Sequence, residues 1–92
     1  MSLFTSAHVA LRVALEDAAT AGEWIACRGP HGAYWTSDSA EERAVAAALC
    51  DGCPVLAECH TAAESTNEAW HVWAGQDREA LAAERRAARR KE

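Results

Sequence analysis

The sequence lacks most of what a small protein uses to hold itself together. It has one Phe, one Tyr, one Met and one Ile, and much of its 50% hydrophobic content is alanine, which supplies little apolar area per residue. A chain of 92 residues buries only roughly 60–65% of the surface its unfolded form exposes, so an alanine-rich one calls for a staple. No apolar run approaches the ~18 residues of a membrane-spanning helix. There is no glycine-rich phosphate loop and no nucleophile–histidine pair, so no enzyme activity is expected. The opening residues lack a basic segment, and Arg12, Glu16 and Asp17 interrupt any apolar stretch, so no secretory leader is expected. The expected location is therefore cytoplasmic, where thiols stay reduced and clustered cysteines signal metal or redox chemistry more often than disulfides.

Positive charge is scarce over most of the chain. Residues 1–77 carry three Arg against eleven Asp and Glu, whereas residues 78–92 carry six cations against three Glu, within a net charge of −5. An acidic body repels phosphate and suits a basic protein surface. Only the tail, with Arg85, Arg86, Arg89, Arg90 and Lys91, offers contact to nucleic-acid phosphate, or else a solvated helix end at the negative pole of its own dipole.

The residue pattern predicts a small all-α domain of four helices. Val9, Leu11, Val13 and Leu15 give helical spacing within a first helix from Ser6 to Ala21, stopped by Gly22. The loop "ACRGPHGAYWTSD" is kept irregular by Gly29, Pro30 and Gly32. Ser39-x-x-Glu42 is a capping box that predicts a second helix from Ala40 to Leu49, with Val45 and Leu49 as its buried stripe. Pro54 fits the first turn of a third helix running to Ser65. "HVWAGQD" reads as a short turn or a pair of extended residues, and Asp77 caps a final helix from Arg78 into the basic tail. The expected organisation is one domain over residues 1–92: an N-terminal helix in 1–23, a cysteine-bearing core and tryptophan turn in 24–77, and a basic helix in 78–92.

What the chain does have is four cysteines: Cys27, Cys50, Cys53 and Cys59. Cys50-x2-Cys53 lets two sulfurs converge across a turn that Asp51-Gly52 makes easy. Cys59 lies six residues past Cys53, about 240° around a regular helix, so convergence requires Cys53 to stand outside the helix that carries Cys59. Cys27, on its irregular loop, can swing in as the fourth. A close triplet plus one remote cysteine is more typical of iron–sulfur ligation than of zinc ribbons, which use two C-x2-C knuckles. Zinc, a redox-active Cys50/Cys53 dithiol and plain buried thiols remain open on spacing alone.

The run Cys27…Cys50-Asp51-Gly52-Cys53-Pro54-Val55…Cys59, with "VWAGQDREAL" beyond it, resembles the signature of the WhiB-like family of actinobacteria and their phages. The resemblance covers Trp24 to about Arg90. It implies that the four cysteines hold a 4Fe–4S cluster. It also implies a transcriptional regulator, open to redox or nitric oxide sensing, that pairs as a monomer with the promoter-reading C-terminal domain of the primary sigma factor. Tyr34, Trp35, Trp73 and Gly75 would then lie at that partner. Promoter DNA contact would fall to Arg85, Arg86, Arg89, Arg90 and Lys91, although nothing there resembles the Arg-Gly-Arg-Pro hook of some members. The tryptophan turn reads His71-Val72-Trp73-Ala74-Gly75, with His and Ala where the family has glycine. Ala74 is thus expected either to force a different turn or to carry about 1 kcal/mol of backbone strain. Trp24 and Trp70 read equally well as ordinary core.

Overall fold

The computed structural model describes residues 5–91. The first helix, α1 (Ser6–Thr20), starts where the Thr5 hydroxyl accepts the His8 N–H, and ends before Gly22. Two short 3-10 turns, Ala26–Arg28 and Gly32–Thr36, carry the loop that follows. The second helix, α2 (Ala40–Leu49), has the limits its capping box predicts. Only half of the box forms: Ser39 Oγ accepts from the Glu42 N–H at 3.2 Å. The Glu42 carboxylate turns instead to the hydroxyl of Ser37, and that hydroxyl accepts the Ser39 N–H.

The third helix, α3 (Leu56–Ser65), begins two residues after the proline that was expected to open it. Cys53 N–H donates to Cys50 O at 2.9 Å and Leu56 N–H to Cys53 O at 3.2 Å. The chain is therefore still making successive tight turns at Pro54, and the first α-type bond into the helix runs from Cys59 N–H to Val55 O. Beyond α3, the strands β1 (Val72–Trp73) and β2 (Gln76–Asp77) form an antiparallel hairpin, with Val72 opposite Asp77 and Trp73 opposite Gln76. This hairpin falls on the stretch read as a short turn or a pair of extended residues, within the small, mostly helical domain of four helices that the sequence predicts. Its strands are too short for their alternation to register in a sequence. The last helix, α4 (Arg78–Arg90), is capped by the Asp77 carboxylate, which accepts from Glu79 and Ala80 N–H.

The core is split. One cluster joins Trp35, Ala46, Cys50 and Val72; the other joins Ala18, Ile25 and Val55, with Leu11, Leu15 and Cys53 packed on it. Val45 and Leu49 do not form the buried stripe expected of α2, being 47% and 40% exposed. Ala46 takes that role because a methyl group lets the helix approach the Trp35 ring and Val72 closely. Trp24 and Trp70 are not core either, at 67% and 62% exposed.

Two buried arginines bind the hairpin to the helices. Arg43 of α2 donates to the Asp77 carboxylate at 3.1 Å and to Ser37 O at 3.0 Å, and pairs with Glu79 at 3.3 Å. Arg78, wholly buried, donates to Glu68 O at 2.7 Å, Gln76 Oε1 at 2.9 Å and the Glu64 carboxylate at 2.8 Å. With few large apolar residues, the chain uses satisfied guanidinium groups where a larger domain would use leucines.

Candidate functional site

The two core clusters meet around a cavity of ≈ 260 Å³ that all four cysteines line. Each thiol arrives by a different local device. Cys50 caps the C-terminus of α2, and Gly52, at φ +75°, supplies the left-handed residue that returns the chain to Cys53. Cys53 precedes α3 and Cys59 lies within it. This is the arrangement that allows two positions six apart to face one space. Cys27 comes from the 3-10 turn Ala26–Arg28 and is the one exposed thiol of the four. Leu11 and Leu15 of α1, Val55, Val72 and Trp73 supply the apolar remainder of the wall.

Two of the sulfurs, those of Cys59 and Cys27, are disfavoured as thiolates. Burial pushes the Cys59 thiol up from 9.0 to about 11, against a backbone hydrogen bond from Ala74 that lowers it; the negative charge of Cys50, Cys27 or Cys53 would raise it further. Cys27 is also held above its ordinary value, first by burial of the sulfur on its cavity side and then by Cys53 and Cys50, with Arg28 pulling the other way. Cysteines that perturb one another in this way are near neighbours. Among the described residues, though, no three His, Cys, Asp or Glu side chains are gathered as one metal ion would need.

Trp35 Nε1–H donates to Cys50 Sγ at 3.3 Å, with both groups buried. Trp73 is half-buried: it lines the cavity and meets the edge of the His8 ring at 6.0 Å, tying the hairpin to α1. Tyr34 is half-buried and packs, tilted, on His31 at 5.3 Å. Ala74 and Gly75 join the strands with φ +52° and +79°, the both-positive pattern of a type I′ turn. Ala74 thus accepts the strain instead of changing the turn. A side chain at Gly75 would stand 3.6 Å from Ala47 O and 3.7 Å from Cys50 Cβ, ordinary contacts, so conformation and not crowding makes this position a glycine.

Four of the six cations of residues 78–92 are free of the body. Arg85 is drawn back to Glu64 and Asn67, both at 3.3 Å. Arg86, Arg89 and Arg90 gather around one shallow depression on α4, and they and Lys91 are exposed. The site elements that the sequence did not reveal are the Trp35–Cys50 hydrogen bond, the Ala74 N–H beside Cys59 and the buried Arg78. Arg78 had one visible cue, its place directly after the capping Asp77.

Comparison with known proteins bears on the same stretch. The family model described as "Transcription factor WhiB" matches residues 23–88. Those residues run from just before Trp24 to near the end of α4 and leave α1 outside. A transcriptional regulator of Mycolicibacterium smegmatis, WhiB7, is 39% identical over 54 residues, which are 56% of this chain and 52% of that protein. The match thus spans about half the length of that curated relative. No solved structure matches. No described helix is long and apolar enough to cross a membrane.

Proposed function

The chain belongs to the WhiB family of transcription factors, and from that premise we propose that it regulates transcription as an iron–sulfur protein, with a 4Fe–4S cluster held by Cys27, Cys50, Cys53 and Cys59. The observation that carries this reading is an apolar cavity of ≈ 260 Å³ lined by all four thiols. A water-sized particle needs only about 10–15 Å³ of such space, so one zinc ion would leave most of it unfilled. A zinc ion must also be reached by every sulfur at about 2.3 Å, whereas in a cluster each sulfur takes a different iron.

The residues present fit that group. An apolar wall limits water at the inorganic sulfides, and the Trp35 indole and the Ala74 N–H offer donors to two ligand sulfurs. When bound, the cluster supplies a centre that oxygen and nitric oxide attack.

The partner in this reading is the C-terminal domain of the primary sigma factor. The acidic body of residues 1–77 complements a basic surface, and Trp73 stands where cavity, α1 and hairpin meet. Tyr34 packs on the Trp35 cluster and Gly75 turns the hairpin, both half-buried. Trp35, buried at 7% exposure, serves by supporting the site from within. Promoter phosphates would be met by Arg86, Arg89, Arg90 and Lys91, with Arg85 partly engaged by Glu64.

The test is to load the protein without oxygen, confirm the cluster by its absorbance, and measure binding to the isolated sigma domain. The reading expects complex formation that Trp73→Ala weakens while the absorbance survives. Unchanged affinity would remove Trp73 from the interface, and no complex with the loaded wild type would remove the sigma domain as partner.

A further inference from the structure

We infer that Trp35 tunes the reduction potential of the cluster through its hydrogen bond to the Cys50 sulfur. This rests on the iron–sulfur reading above and extends it to a residue that touches a ligand and not the iron. The indole is a donor with no acceptor capacity, and its Nε1–H is directed at Cys50 Sγ at 3.3 Å. Both residues are 7% exposed, and Ala46 and Val72 pack in the same cluster, so the ring is held by its neighbours and water does not compete for the bond. A donor facing a ligand sulfur favours the state with more negative charge on that sulfur. When one electron enters the oxidised cluster from a poised electrode, no bond forms or breaks, and the added charge spreads onto the sulfurs. The reduced state gains more from the indole than the oxidised state does, so the potential rises. Phenylalanine removes the donor but leaves part of the indole's space empty, so a ring of the same size without the N–H is what assigns the effect to the donor.

The sign separates this role from packing. Loosening the pocket admits water, which favours the more highly charged reduced cluster and moves the potential up; losing the donor moves it down. The experiment loads wild type, Trp35→Phe, a variant with the isosteric β-(3-benzothienyl)alanine at Trp35, and Val72→Ala. Iron and acid-labile sulfide are determined first, then the midpoint potential by mediated titration. Trp35→Phe and the benzothienyl variant are expected to fall below wild type by up to about a tenfold change in the reduction equilibrium, ~59 mV for one electron. Val72→Ala, which loosens the same cluster and leaves the donor in place, should stay level or rise. The benzothienyl variant changes little but the N–H and decides the matter if Trp35→Phe folds poorly. An unchanged or raised potential in it overturns the role of Trp35 alone. A wild type that takes up no iron and sulfide overturns the cluster reading, and this role with it.

Discussion

The guanidinium of Arg78 reaches the carboxylate of Glu64 at 2.8 Å, and the arginine is wholly buried while the glutamate stands at the surface. α4 is therefore fastened to α3, the helix that carries Cys59, by a cation with no water of its own. Arg78→Met would leave the half-buried acceptors Glu68 O and Gln76 Oε1 without their donor, at a cost on the order of 1–3 kcal/mol. The thermal midpoint of the metal-free chain should fall accordingly, and a fall no larger than that of an exposed Arg90→Met control would contradict this placement. The bonds to Arg78 and then Arg85 hold the Glu64 carboxyl below its usual range. That stabilisation is present at neutral pH and is lost as pH drops through the lowered value.

The hairpin stores strain at a known point. Ala74 sits at φ +52°, where glycine is relieved of a cost of about 1 kcal/mol. Ala74→Gly should raise stability by roughly 0.5–1 kcal/mol in denaturant melts. Gly75→Ala should lower it by a similar amount through φ alone, since the space around that position is ordinary. A larger loss would mean that crowding against Cys50 governs this position.

The thiols give the metal-free chain an alkaline limit. With Cys59 raised from 9.0 to about 11, the folded state holds its proton more tightly than the unfolded state. Its contribution to stability is full below pH 9 and is lost as pH rises through about 11. Unfolding by denaturant should become easier across that window, and Cys59→Ala should flatten the trend. Alkylation of Cys59 at pH 8 should lag behind that of a small-molecule thiol. Because ligation needs thiolate, loading releases protons and should proceed faster as pH rises from 7 towards 9.

In the proposed reading, the tail meets DNA while the body meets the sigma domain. Removing residues beyond Leu81 takes away every exposed cation of α4 and leaves the Arg43 and Arg78 bonds in place. Binding of the sigma complex to promoter DNA should weaken and lose much of its salt dependence, while the complex itself persists. Loss of the complex would assign α4 a structural part in it.

Much of this molecule could be read from its residues because the signals were local. Ser39 and Asp77 start helices where hydroxyl or carboxylate caps predict, Gly52 turns the chain between Cys50 and Cys53, and the six-residue step to Cys59 required Cys53 to lie outside a helix, as it does. What stayed hidden depends on neighbours distant in sequence. The depth of Ala46 and the exposure of Val45 follow from how near α2 comes to Trp35 and Val72, which no helical spacing encodes. The burial of Arg78 follows from acceptors at Glu64, Glu68 and Gln76 meeting around it. Four tryptophans were visible as a group, but only packing could send Trp35 inward against a sulfur and leave Trp24 and Trp70 in water.

The measurement that bears most directly on the central claim is the iron and acid-labile sulfide content of the chain purified without oxygen, taken alongside its visible spectrum. The account predicts a brown protein with about four iron and four sulfide per chain, falling towards zero when any of Cys27, Cys50, Cys53 or Cys59 is replaced by serine. A colourless protein carrying one zinc per chain, or one folded equally well with no metal, would contradict it.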